Sequence, residues 1–161
     1  MEKKILVVYY SRDGHTQKVA QEIASQLQAD LEEILDQKSR KGIIGWLYGG
    51  RDAMRKRETS IGKVTRNPAD YDLTIIGTPV WSWAMTPAVR TYLKQFKGQF
   101  QEMAYIVTAG GVKADAIVKS MEDLAGKPAK GFIGLVGSDF RNNQAYQEKI
   151  KKFVELFQKP A

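Results

Sequence analysis

Hydrophobic residues along the chain alternate between short β-rich runs and segments with helical spacing. Residues 3–10, KKILVVYY, are apolar without polar alternation, which predicts a strand covered on both faces. From Thr16 onward, apolar residues recur every three or four positions, which predicts an amphipathic helix ending near Gln28. This alternation of strand-like and helical patterns continues to the end of the chain.

Four further strands and four further helices follow from the same patterns. The strands are predicted at 30–36, at 71–79 with its end near Gly77 and Thr78, at 103–111 as strand and loop, and at 131–137. The helices are predicted at 44–57, from Pro87 onward, at 114–124 and at 144–157. Strands that alternate with helices imply right-handed βαβ units. The sequence therefore predicts one α/β domain over residues 1–161, with three α/β/α layers around a five-stranded parallel sheet.

Composition excludes several kinds of chemistry. The chain has no cysteine, which excludes disulfides, thiolate catalysis and cysteine-ligated metal clusters. Its only histidine is His15, so a metal site built from several histidines is excluded, and we predict no metal site and no catalytic side chain. The apolar run near the start is too short for a signal peptide, and no window approaches a membrane span. A cytoplasmic protein is expected.

The positive charge is concentrated in one segment. Residues 37–66 hold nine basic and two acidic side chains, which equals the net charge of +7 for the whole chain. We consider two interpretations of this basic segment. It can be a solvated face that adds solubility, or it can attract acidic proteins or an anionic membrane surface at low salt.

Three loops are expected at the ligand-binding edge of the sheet, which lies at the carboxyl ends of the strands. They span residues 11–16, 78–85 and 108–113. In the first, SRDGHT, hydroxyl groups, a glycine and a helix start can bind a phosphate without a metal. The alternative is an ordinary strand-to-helix turn in which Thr16 or Asp13 caps the helix.

The second and third loops suggest a planar ligand. GTPVWSWAMTP has two tryptophans two residues apart, which we expect on an exposed rim, where they need a partner ring or protein. Alternatively, one of them packs back onto the adjacent helix. In TAGGVKAD, two glycines after a strand allow close backbone approach to a flat ligand, or simply form a turn. One ligand with a phosphate and a planar heterocycle would satisfy all three loops.

Over essentially its whole length, the chain resembles the flavodoxin family. YSRDGHTQKVA resembles the family's phosphate-binding loop, GTPVWSWAMTP the loop that stacks on the isoalloxazine ring, and TAGG the loop that holds the pyrimidine edge. The resemblance implies the flavodoxin-like strand order 2-1-3-4-5 and a non-covalently bound FMN. The cofactor-binding residues that it implies are Ser11, Arg12, Asp13, Gly14, His15, Thr16, Thr78, Pro79, Val80, Trp81, Ser82, Trp83, Ala84, Thr108, Ala109, Gly110 and Gly111.

The resemblance implies an electron carrier that serves redox partner proteins, with its basic segment predicted to lie near the rim of the flavin and raise its reduction potential. Three features differ from long-established electron-shuttle flavodoxins. His15 stands where many relatives have asparagine, the charge is basic rather than acidic, and the third loop lacks a tyrosine with acidic neighbours.

The sequence is also compatible with functions other than electron transfer. An FMN-dependent NAD(P)H or quinone oxidoreductase, or a relative of the flavodoxin-like protoporphyrinogen oxidases, would keep the same cofactor site. A receiver-type signalling domain would need an acidic pair after the first strand, where this chain has Tyr9, Tyr10 and Ser11. Nucleic-acid binding is poorly supported, because the basic segment has only Trp46 and Tyr48 as stacking candidates.

Overall fold

The computed structural model describes residues 2–111 and 113–158, which form a twisted sheet between two layers of helices. The strands are β1 (Ile5–Tyr9), β2 (Asp30–Glu33), β3 (Leu73–Trp81), β4 (Ala84–Met85), β5 (Glu102–Ala109) and β6 (Ala129–Val136). The helices are α1 (His15–Leu27), α2 (Gly42–Met54), α3 (Pro87–Gln95), α4 (Ala114–Ala125), α5 (Gly137–Arg141) and α6 (Asn143–Gln158), with a 3-10 turn at Pro68–Asp70.

The main sheet is parallel, in the order β2-β1-β3-β5-β6. This is the predicted order 2-1-3-4-5 once the short strand β4 takes its own number, so the predicted fold class is confirmed. The sequence analysis did not predict β4, which pairs antiparallel with the end of β3. Because β3 runs on to Trp81, it forms a hairpin with β4 at the carboxyl edge of the sheet.

Two hydrophobic cores cover the sheet, one on each face. In β1, Leu6 and Val8 pack into the core beneath α3 and α4, whereas Ile5 and Val7 pack into the core beneath α1 and α6. The unbroken apolar run of the first strand is explained by this arrangement, because successive side chains point to opposite faces and both faces are buried. No helix within the described residues is long and apolar enough to cross a membrane.

Candidate functional site

A cleft of about 210 Å³ lies at the carboxyl ends of β1, β3 and β5, where the three predicted loops converge. Eleven of the predicted binding residues line this cleft: Ser11, Arg12, Asp13, His15, Thr16, Pro79, Val80, Trp81, Thr108, Ala109 and Gly110. The other six, which do not line it, are Gly14, Thr78, Ser82, Trp83, Ala84 and Gly111. The parallel register produces this convergence, since it pairs Tyr9 with Gly77 and Pro79 with Thr108.

The first loop forms a tight turn that leads into α1. Gly14 adopts a left-handed conformation with φ of 91°, and its N–H donates a 3.1 Å hydrogen bond to Ser11 Oγ. Within the described chain, no side chain caps the start of α1, so neither Thr16 nor Asp13 has the alternative role of helix cap. The N–H groups of the first turn of α1 therefore lie at the cleft with no side chain of the described residues capping them, and the positive end of the helix dipole lies there too.

Thr16 ties the first loop to the third. Its side chain is buried, and its hydroxyl lies 2.8 Å from the hydroxyl of Thr108 at the end of β5. A Cβ added at Gly77 would lie 3.2 Å from Thr16 Cγ2, so the absence of a side chain there lets α1 begin close to β3. These contacts fix the start of α1 relative to two strand ends.

The second loop places its two tryptophans in very different environments. Trp81 is only 6% exposed and meets Tyr10 edge-on, with ring centroids 5.5 Å apart. Trp83 is 76% exposed. The prediction that both lie on an exposed rim is therefore wrong for Trp81. This residue does pack against a helix, as the alternative supposed, but the contact shown is with α2 rather than with the adjacent helix that begins at Pro87.

Trp81 is buried because α2 makes room for it with a glycine. A Cβ added at Gly49 would lie 2.9 Å from Cζ3 of Trp81, and one added at Gly50 would lie 2.7 Å from Ser82 Oγ. Positive φ angles of 46° at Ser82 and 60° at Trp83 make the two-residue turn that reverses the chain between β3 and β4. Helix α2, the central part of the basic segment, therefore lies next to the cleft wall.

Thr78 is a structural residue of the second loop. It is fully buried, its hydroxyl donates to the carbonyl of Pro79 at 2.9 Å, and it accepts the N–H of Thr86 at 3.3 Å. These bonds support the start of α3 and the bend of the chain after β3. Thr78 thus supports the chain next to Pro79, which lines the cleft.

The third loop leaves open space beside the cleft. Thr108 is buried, Ala109 is half-buried, and a Cβ added at Gly110 or Gly111 would meet no atom within 4 Å. Packing therefore does not require these two glycines, and their backbone is free for close approach by a ligand. Val112, within the predicted third loop, lies outside the described residues.

Two further residues line the cleft that the sequence analysis did not identify. Gly137 and Phe140 follow β6, whose end pairs with Ala109. Phe140 meets His15 edge-on at 4.8 Å between ring centroids. The carboxyl end of the fifth predicted strand lies at the same sheet edge as the three loops, and this topological signal could have identified both residues.

The charge within the cleft comes chiefly from Arg12 and Asp13. The guanidinium of Arg12 lies 4.5 Å from the centre of the Trp81 ring, and its Nε lies 3.3 Å from Asp13 Oδ1. Tyr10, behind Trp81, has its pKa raised to about 12, first by burial and then by the negative charge of Asp36. Tyr10 therefore stays protonated at neutral pH.

One member of the basic segment is buried. Arg40 donates from Nη1 to Asp52 Oδ2 at 2.7 Å and from Nε to Asp36 Oδ2 at 3.0 Å. Asp36 also accepts the hydroxyl of Thr59 at 2.8 Å. This cluster ties α2 to the loop after β2. Arg40 is therefore a structural residue, and it contributes neither to a solvated basic face nor to a surface that attracts anionic partners.

Comparisons with known proteins agree with this architecture. A family model described as Flavodoxin matches residues 4–157. A flavoprotein from Lactobacillus acidophilus NCFM, crystallised in complex with FMN, is 27% identical with a TM-score of 0.72, over 86% of this chain and 97% of that one. A candidate flavoprotein from Bacteroides uniformis ATCC 8492 is 21% identical with a TM-score of 0.77, over 96% of this chain and 99% of that one. Two-electron reduced flavodoxin from Megasphaera elsdenii is 15% identical with a TM-score of 0.58, over 94% and 96%. Comparison with curated proteins finds no match.

Proposed function

The chain belongs to the flavodoxin family, and on that premise we propose that it binds FMN in the cleft and transfers electrons through it. The relative from Lactobacillus acidophilus NCFM, which was crystallised with FMN, supports this cofactor. The observation that carries the proposal is the first loop. There Gly14 has a left-handed backbone conformation, and the start of α1, which no described side chain caps, lies at one end of the cleft. Bound FMN would supply one- or two-electron chemistry.

The phosphate end of FMN suits the first loop. Ser11 Oγ accepts the Gly14 N–H, so its own hydroxyl proton remains free for donation to a phosphate oxygen. The N–H groups at the start of α1 provide further donors, and the helix dipole favours an anion there. In this proposal the hydroxyl of Thr16 holds the loop through Thr108.

The ring end of FMN suits the other two loops. Pro79, Val80 and the accessible part of Trp81 form one wall of the cleft. At the opposite side, the N–H groups near Gly110 can donate to the polar edge of the ring system, because a Cβ added at Gly110 would meet no described atom within 4 Å. The chain's own role in electron transfer is then to hold the ring and limit its contact with water.

Titration with FMN tests the proposal. We expect quenching of flavin fluorescence that saturates at one FMN per chain, and markedly weaker binding of riboflavin, which lacks the phosphate. Equal affinity for FMN and riboflavin would show that the first loop does not bind phosphate. Absence of quenching by either ligand would overturn the proposed function.

A second candidate, an FMN-dependent NAD(P)H or quinone oxidoreductase, is favoured by one observation. At its edge of the cleft the third loop presents the small residues Ala109 and Gly110, and a Cβ added at the neighbouring Gly111 would meet no described atom within 4 Å, so a second planar reactant could approach the ring. Steady-state oxidation of NADH and NADPH with a quinone, compared with free FMN at the same concentration, separates the two candidates. For an electron carrier we expect no turnover above the free-flavin rate.

A further inference from the structure

Helix α2 exposes its large apolar side chains. Ile43 is 80% exposed and Ile44 70%, and four more large side chains of the same helix are at least half exposed: Trp46, Leu47, Tyr48 and Met54. Monomeric proteins seldom expose so many large apolar side chains together. We call this set the α2 apolar face.

The inward side of α2 explains why the large side chains point outward. Its buried positions are Gly45, Gly49, Asp52 and Ala53. A Cβ at Gly45 would lie 2.5 Å from the backbone carbonyl carbon of Arg40, and the glycines let the helix approach the hairpin closely. The helix is therefore held against the domain by small residues and by the Arg40–Asp52 ion pair. Unlike a core helix, it turns its large apolar side chains away from the domain.

The surroundings of the α2 apolar face are cationic. Residues 37–57 contain six exposed basic side chains: Lys38, Lys41, Arg51, Arg55, Lys56 and Arg57. The only acidic residue in this range, Asp52, is buried and paired with Arg40. No exposed negative charge within residues 37–57 offsets the six cations.

We propose that the α2 apolar face binds an anionic lipid surface, with the helix lying in the plane of the interface. Large apolar side chains on a convex helix, flanked by Lys and Arg and including Trp46 and Tyr48, match the chemistry of a helix held at the boundary between headgroups and acyl chains. The helix has 13 residues, a length of about 20 Å, which suits an in-plane position and is short of the ~30 Å hydrocarbon core.

Charge and shape favour this occupant over two others. A second copy of the chain would bring the same six cations against each other in a two-fold contact. An acidic protein would satisfy the charge, but it would also need a concave apolar surface that fits the protruding side chains. Fluid lipid accommodates a convex apolar helix of any shape. The proposal concerns residues outside the cleft, so it does not depend on the proposed FMN site.

Co-sedimentation with vesicles tests the proposal. We expect the protein to bind vesicles of phosphatidylcholine with about one-third phosphatidylglycerol at low salt, with at least about tenfold weaker binding to phosphatidylcholine alone. About 0.5 M sodium chloride should weaken the binding strongly, because it screens the electrostatic attraction. Failure to bind the anionic vesicles at low salt would overturn the proposal.

Two double variants separate the apolar from the electrostatic contribution. Ile43→Ser/Leu47→Ser removes apolar side chains, and Lys41→Gln/Arg55→Gln removes two cations; each should lower vesicle partitioning about tenfold or more. The matched controls are Leu156→Ser and Lys151→Gln/Lys152→Gln, which change exposed residues of α6 behind the other core and should leave partitioning unchanged.

Circular dichroism and urea unfolding establish that the variants keep the wild-type fold. Equal partitioning of the two α2 variants and the wild type would overturn the proposal. So would a concentration-dependent dimer, formed without lipid and dissociated by Ile43→Ser/Leu47→Ser, if wild-type protein does not bind anionic vesicles. That result would assign the α2 apolar face to a second copy of the chain.

Discussion

Replacing Arg40 with methionine is expected to lower the free energy of unfolding by about 3–5 kcal/mol near neutral pH, the range for a buried ion pair that loses one partner. Arg40 and Asp52 are both almost fully buried, and their side-chain atoms lie 2.7 Å apart. Methionine fills a similar volume but leaves the Asp52 carboxylate without its main donor. Arg57, the other donor to Asp52, lies at 3.5 Å and is half exposed. Urea unfolding of the two proteins measures the difference.

Two further variants show whether the lost ion pair causes this effect. Arg57→Met removes the exposed donor to the same carboxylate and should change the free energy of unfolding by less than about 1 kcal/mol. Arg40→Met/Asp52→Leu removes Arg40 together with the Asp52 carboxylate and leaves Asp36 as the one buried charge of the cluster, so it should be more stable than Arg40→Met alone. In both Arg40 variants, Asp36 still accepts hydrogen bonds from the Thr59 hydroxyl and the Lys38 backbone N–H. If the double variant were no more stable than Arg40→Met, the lost packing of Arg40 would be the cause.

The dependence on pH provides an independent check on Asp52. Burial alone would raise the pKa of Asp52, but the hydrogen bond and charge of Arg40, with smaller contributions from Lys38 and Arg51, lower it in the wild type. The pair therefore stabilises the fold above the unfolded pKa of about 3.9, and this contribution is lost as pH falls through the lower folded pKa. In Arg40→Met, burial dominates and protonation of Asp52 favours the folded state. The stability difference between the two proteins should thus narrow as pH falls from about 7 to about 4.

Three of the strands, β1, β3 and β5, were predictable because their apolar runs are buried on both faces of the sheet. Residues 3–10 supply both cores alternately, so their unbroken hydrophobicity has one simple explanation. The three loops were predictable for a related reason, since parallel strands bring their carboxyl ends to one edge. The hairpin strand β4 was not predictable from pattern, because two residues are too few to show a period.

The environments of the tryptophans could not be predicted from the loop sequence. Burial of Trp81 depends on Gly49, which lies more than thirty residues earlier and touches it only in the folded chain. The same limitation applies to α2, whose helical pattern was predicted at 44–57 and is observed at Gly42–Met54. Periodicity identifies the apolar side of such a helix. It does not show that glycine and Arg40 contacts hold the opposite side against the domain.

Replacing Gly14 with valine is expected to weaken FMN binding by about a hundredfold while the fold is retained. The φ of 91° at Gly14 is a conformation that β-branched residues avoid, so the turn must change to admit valine. A Cβ at this position would meet no atom within 4 Å, and the effect is therefore one of backbone conformation rather than steric clash. Any change in φ moves the Gly14 N–H away from Ser11 Oγ and redirects the first N–H groups of α1, which in the proposed site hold the phosphate.

Gly98 provides the matched control for this prediction. Its φ is 84°, a Cβ there would also meet no atom within 4 Å, and it lies between α3 and β5, away from the cleft. We therefore expect Gly98→Val, like Gly14→Val, to lower the free energy of unfolding by about 1–2 kcal/mol, because both force a side chain into the left-handed region. Gly98→Val should leave FMN affinity unchanged. Riboflavin affinity should be nearly equal in wild type and Gly14→Val, because riboflavin does not use the phosphate donors. Equal losses of FMN and riboflavin affinity in Gly14→Val would mean that the turn shapes the whole cleft, and would contradict a specific role in phosphate binding.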